Sequence, residues 1–138
     1  MKKTIFILIL FLIMIFFITY KINNKGDIKG AEILIGESHI YSESDIKKAM
    51  DIVLKKFKMR VPAKLIKIWY DETINEREYN LLKERYDLNY KNFIVICTSF
   101  KTNKNIGSNT GYDSDYKYSD VHWTLTKDLN GNWVFIDY

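Results

Sequence analysis

The sequence has little cysteine, proline or histidine: one cysteine, one proline and two histidines among 138 residues. The lone Cys97 can close no internal disulfide, so a fold placed outside the cytoplasm would be held by its apolar core alone. It also lies far beyond the N-terminal region where a lipid-modified cysteine follows an export signal, so no lipidation is expected. Scarce proline and only six glycines, with 15% aromatic residues, argue against disorder. No glycine-rich phosphate loop, no paired His or Cys set and no Ser-His-Asp arrangement is present, and no cofactor is expected.

A basic surplus is lacking too, once the chain is divided. The whole sequence carries 21 Lys+Arg against 17 Asp+Glu, net +4. All 17 acids lie at Asp27 or later, while four lysines (Lys2, Lys3, Lys21 and Lys25) precede them, so residues 26–138 carry 17 charges of each sign. A nucleic-acid binder concentrates positive charge in its folded part. This chain does not, and no nucleic-acid partner is expected.

What the sequence does have is a long apolar run. From Ile5 to Ile18 every side chain is apolar, with Lys2 and Lys3 before it and Lys21 and Lys25 after it. Such a segment has no polar face to show to water. The basic start and apolar region match an export signal, but residues 19–25 offer no small-residue cleavage site. The expectation is therefore a membrane anchor running from Ile5 to Tyr20, about 24 Å of helix, lengthened by Thr4 and by snorkelling lysines. Cleavage followed by secretion is the alternative. The likeness to an export signal places the N-terminus inside and the rest of the chain outside. Residues 1–22 then form the anchor or signal segment, 23–37 a tether, and 38–138 an extracytoplasmic domain.

Within that domain the clearest signal is a helix from about Glu43 to Lys58. Ser42 caps it, with Ser44 as a competing cap, and Ile46, Ala49, Met50, Val53 and Phe57 recur at helical spacing. Pro62 bounds it. Its lysine-rich opposite face reads as solvated rather than lipid-binding. Ala31 to Ile35 is either a short strand or a lead-in to this helix. Ala63 to Tyr70 reads as a strand with Leu65, Lys67 and Trp69 on one face and Ile66, Ile68 and Tyr70 on the other. A second helix, capped at Thr73 or Asn75, shows Ile74, Glu78, Leu81, Leu82 and Arg85 along one side and stops near Asp87. Strands follow at Asn92 to Phe100, at Tyr118 to Lys127 (Val121, Trp123 and Leu125 on one face) and at Asn132 to Tyr138. The last two are joined by a turn at Asp128-Leu129-Asn130-Gly131. This order gives an α+β domain, one curved antiparallel sheet packed on the amphipathic helix.

Three blocks, YSESDIKKAMDIVLKKFK, LIKIWYDE and VHWTLTKDLNGNWVFIDY, together resemble a group of small exported proteins of clostridia and related Gram-positive bacteria. The matching positions are Trp69, Tyr70, Asp71, Glu72, Trp123, Asn130, Gly131, Trp133, Asp137 and Tyr138. That group resembles the cystatin-like, nuclear-transport-factor-2-like cone fold. The resemblance implies a fold and no activity. This chain departs from it in lacking the early cysteine.

Enzymes on cone folds place Asp, His or Tyr in the mouth of the cone, which makes Tyr70, His122 and Asp137 a candidate catalytic set, with Asp71, Asp120 and Tyr138 nearby in type. The plainer reading has Asp71 and Glu72 ending a strand and Asp137 at the chain end. Trp69, Tyr70, Trp123 and Trp133 are the candidate ligand-binding residues, although strand tryptophans are commonly core residues. Asp113, Asp115 and Asp120 lack the glycine and distal glutamate of a calcium loop and read as turn formers; no metal is expected. Cys97 reads as a small buried hydrophobe. The favoured function is a non-catalytic, membrane-tethered domain that binds a small ligand, cell-wall component or partner protein. A small hydrolase or isomerase is the alternative.

Overall fold

The computed structural model describes residues 2–23 and 25–136, with side chains described for 5–19 and 25–136. Its elements are three helices, α1 (Lys2–Asn23), α2 (Glu43–Arg60) and α3 (Glu72–Tyr86), and five strands, β1 (Glu32–Leu34), β2 (Ala63–Trp69), β3 (Phe93–Thr102), β4 (Lys117–Lys127) and β5 (Trp133–Phe135). The strands form one sheet in the order β1-β2-β3-β4-β5. β1 runs parallel to β2 and the remaining pairs are antiparallel. The sheet is therefore mixed and open, not wholly antiparallel as the hairpin-rich second half of the sequence suggests. β1 reaches β2 through the α2 crossover, the connection that parallel pairing needs.

α2 forms where its cap and period place it. The Ser42 side chain accepts a hydrogen bond from the Asp45 backbone N–H, and Ile46, Ala49, Met50, Val53 and Phe57 are buried on one stripe. Each large side chain so buried contributes about 1.5–3 kcal/mol. The helix ends at Arg60, because Val61 precedes Pro62 and turns extended. The stripe packs on the sheet with Leu65, Ile68, Tyr70, Ile94, Ile96, Phe100, Leu125 and Trp133, the main core.

The other sheet face carries a smaller core of Phe93, Val95 and Cys97, covered by Ile74, Tyr79 and Leu82 of α3. The sheet is thus held between two helices. Within α3, Leu81 is 69% exposed, so the apolar side turns on Ile74, Tyr79 and Leu82. Its cap is Asp71, whose carboxylate accepts from the Ile74 N–H, rather than Thr73 or Asn75; Asn75 is buried instead. Asp87 closes the helix in the left-handed region, φ 48°.

A bulge between Leu65 and Lys67 changes the phase of β2. Leu65, Ile68 and Tyr70 all enter the main core, while Ile66 is exposed and Trp69 packs on the α3 side. The strict alternation expected of this strand fails because one extra residue shifts every later side chain to the other face.

Part of the expected tether is fixed. The Gly26 N–H donates to Lys58 O and the Asp27 N–H to Ala63 O, while Asp27 O accepts from the Leu65 N–H. A Cβ on Gly26 would meet Phe57 O at 2.5 Å and Val61 O at 2.8 Å, so only glycine lets the backbone approach this closely. The β4–β5 connection keeps Gly131 at φ 78°. Its carboxylate clamp is Asp128, which accepts from the N–H groups of Asn130 and Asn132. β5 is shorter than expected, and Asp137 and Tyr138 lie outside the described residues.

α1 shares in neither core. Each side chain of residues 5–18 is between 41% and 67% exposed. Among the described residues no helix is long and apolar enough to cross a membrane. The part of α1 with described side chains, residues 5–19, is about 22 Å long, short of a hydrocarbon core of about 30 Å.

Candidate functional site

The strand register brings the reactive side chains of the α3 face into one row. Trp69 pairs with Cys97, and Cys97 pairs with His122, so the three lie side by side across β2, β3 and β4. α3 lays Glu78 over the end of this row. The His122 ring stands between two carboxylates, with Nδ1 3.2 Å from Glu78 Oε1 and Nε2 3.0 Å from Asp120 Oδ1. Carboxylates only accept, so both contacts are hydrogen bonds only when both ring nitrogens carry a proton. Arg77 lies 3.3 Å from the same Glu78 oxygen. The His122 and Glu78 side chains are largely buried and Asp120 is about half exposed.

Asp120 owes its position to a second bulge. Thr98 pairs with Val121 and Phe100 with Tyr118, so Ser119 and Asp120 together oppose Ser99. Asp120 takes φ 61°, in the left-handed region that a non-glycine residue seldom occupies. Cys97, in the middle of the row, has no exposed surface. Burial, then Asp120, Asp71 and Glu78, push its thiol up to about 12, with Arg77 opposing. Such a thiol is not a nucleophile near neutrality, in keeping with the buried-hydrophobe expectation.

The residues expected to act together are divided by the sheet. Tyr70 sits in the main core, packed edge-on against Tyr41 at 6.0 Å and 3.3 Å from Ser38 Oγ. Burial pushes its hydroxyl up to about 12 despite the Ser38 contact. His122 is on the opposite face, so Tyr70 and His122 share no pocket; Asp137 falls outside the described residues. The four ligand candidates are split in the same way. Trp69 belongs to the α3 face, while Tyr70, Trp123 and Trp133 belong to the α2 face. Trp123 donates its indole N–H to Thr98 Oγ1 at 2.7 Å, and Trp133 donates to the Asp45 carbonyl at 3.2 Å. Trp133 also borders a cavity of about 310 Å³ with Asp45, Lys48 and Asp51. The three loop aspartates disperse as well: Asp113 meets the Tyr118 hydroxyl, Asp115 pairs with Lys101 at 2.9 Å, and Asp120 pairs with His122.

The strand register also assembles a basic row. Lys64 pairs with Lys101 and Lys101 with Lys117 across β2, β3 and β4, all on the face opposite Leu65 and Phe100. Lys64, Lys101 and Lys104 line a groove of about 570 Å³ with Gly30, Ile66 and Thr102. No single stretch of sequence signals this row, because three separated segments contribute one lysine each. Glu78 was likewise legible only as a helix-face residue.

Compared with family models, curated proteins and solved structures, the chain matches none.

Proposed function

We propose that this is a single-pass, membrane-tethered protein whose non-catalytic α+β domain lies outside the cytoplasm and rests its lysine row on anionic phospholipid headgroups. The observation that carries the tether is α1, with its 14 consecutive apolar side chains all exposed and excluded from both cores. Left in water, that surface is costly; transferred to a bilayer, it favours insertion by something on the order of 5 kcal/mol. The described side chains alone give too short a span, but the helical backbone runs 22 residues, about 33 Å. Lys2, Lys3 and Lys21 then fall at the two interfaces. The likeness to an export signal favours the outward orientation, and secretion after cleavage is the alternative fate.

The headgroup contact follows from chain length and charge. Asn23 ends α1 and Gly26 is already fixed to α2, a separation of at most about 11 Å, with Asp27 bonded to β2 directly after it. The end of the domain holding Gly26, Lys58 and Lys64 is therefore kept at the membrane surface. Like charges directly opposite one another across strands destabilise a sheet. The middle lysine of the row, Lys101, is paired with Asp115 and half-exposed, and Lys64 and Lys117 on either side of it suit an anionic partner. The likeness to the exported clostridial group and its cone fold belongs to this same reading, supported by α2 packed along one face of an open sheet. The hydrolase alternative loses its support with Tyr70 and His122 on opposite faces.

Fractionation of C-terminally tagged full-length protein, followed by protease treatment of intact cells, tests the tether. The expected result is membrane-bound protein whose tag is lost to external protease. Full-length protein in the soluble cytoplasm overturns both anchor and orientation.

A further inference from the structure

We propose that Cys97 Sγ, Asp120 Oδ1 and His122 Nε2 form a binding site for one borderline-soft divalent cation, Zn²⁺ or its surrogate Co²⁺, with Glu78 as the group that orients the imidazole. One ligand atom from each of the three residues lies within 4.8 Å of the others. A tetrahedral zinc with bonds of 2.0–2.3 Å holds its donors about 3.4–3.6 Å apart. His122 and Asp120, at 3.0 Å, are already close to that spacing. The remaining closure asks for small side-chain movement, which Asp120 can supply: it is about half exposed and sits on a bulge. Sulfur, nitrogen and oxygen in one set select zinc-like ions over calcium or magnesium, which take oxygen alone.

Glu78 supplies the outer carboxylate that such a site uses. Metal-bound histidine ordinarily donates its other ring N–H to a carboxylate, which fixes tautomer and orientation. Glu78 Oε1, contributed by α3 rather than by the strands, stands 3.2 Å from Nδ1 and leaves Nε2 to the ion. The carboxylates of Asp120 and Glu78 on either side of the His122 ring favour a dication there. On binding, the S–H proton leaves to solvent as the sulfur–metal bond forms, and the metal supplies the charge that the thiolate lacked.

The test uses the full chain in detergent micelles with a phosphine reductant, titrated with Co²⁺ and then with Zn²⁺. The expected result is a thiolate-to-cobalt charge-transfer band that saturates at one equivalent and is bleached by Zn²⁺. C97S abolishes the band. D120A, at an exposed site that leaves the fold intact by circular dichroism, weakens Co²⁺ binding at least about tenfold, as does E78Q through loss of the orienting carboxylate. D113A leaves binding unchanged. A folded wild-type chain that gives no band overturns the site, and so does an affinity unmoved by D120A.

Discussion

At the scale of single residues, Asn75 and Asp128 each complete a backbone that the strands leave open. β2 ends at Trp69, opposite Cys97, so the Val95 N–H lies beyond its reach. Asn75 Oδ1 accepts that N–H at 2.8 Å from a fully buried position. N75A should therefore cost about 1–3 kcal/mol in chemical denaturation, because a buried donor is left unmet. A loss below about 0.5 kcal/mol, the range of an ordinary surface change, would contradict this role. Asp128 works at the surface. The N–H groups of Asn132, Asn130 and Gly131 favour its charged form and hold its carboxyl below the usual range. A depressed folded value means stability that is present above the unfolded Asp value of about 3.9 and is lost as pH falls through the lower folded value. Thermal melts of wild type and D128N should therefore differ at neutral pH and converge as pH drops below about 4. A gap that stays constant down to acid pH would show that the carboxylate charge is not what the turn uses.

At the scale of elements, the ends of α2 decide between two readings of one sequence pattern. Ser42 and Ser44 both stand where a cap is expected, and the structure gives the role to Ser42. S42A should destabilise by about 1 kcal/mol and S44A by a few tenths at most, checked by denaturant midpoints at unchanged m-value. A larger loss for S44A than for S42A would mean that the helix starts two residues later. α2 was legible because a cap, a sustained 3.6-residue period and a proline stop agree. β3 and the faces of β4 were legible because long apolar or alternating runs read alike in any register. β2 was not, because the bulge at Ile66 flips every side chain after it and carries no compositional mark. The parallel pairing of β1 escaped for a related reason: Glu32–Leu34 is too short to announce a partner. The candidate metal site failed to show for want of register. Cys97 and His122 are 25 residues apart and become neighbours only through the β3–β4 pairing, with Asp120 turned toward them by its bulge.

At the scale of the whole molecule, a domain with balanced charge over residues 26–138 still separates its charges in space. Lys64, Lys101 and Lys117 gather at the end fixed to Gly26, while Glu78 and Asp120 gather with His122 farther along the sheet. Net charge therefore says little about this protein's electrostatic behaviour; under the proposed tether, where the charges sit relative to α1 says more. Near an anionic bilayer each lysine contributes about 1 kcal/mol, within a Debye length of about 8 Å at physiological salt. Residues 25–138, freed from α1, should float with vesicles containing phosphatidylglycerol and not with phosphatidylcholine alone, and added salt should release them. Reversing the row with K64E, K101E and K117E should abolish flotation. Reversing Lys47 and Lys48, near the start of α2, should leave it intact, because about 15 Å of helix separates them from Lys58 at the end fixed to Gly26. Equal flotation on both lipids would point to apolar insertion rather than charge. No flotation on either would leave α1 as the whole of the proposed membrane contact and remove the headgroups from the proposed function.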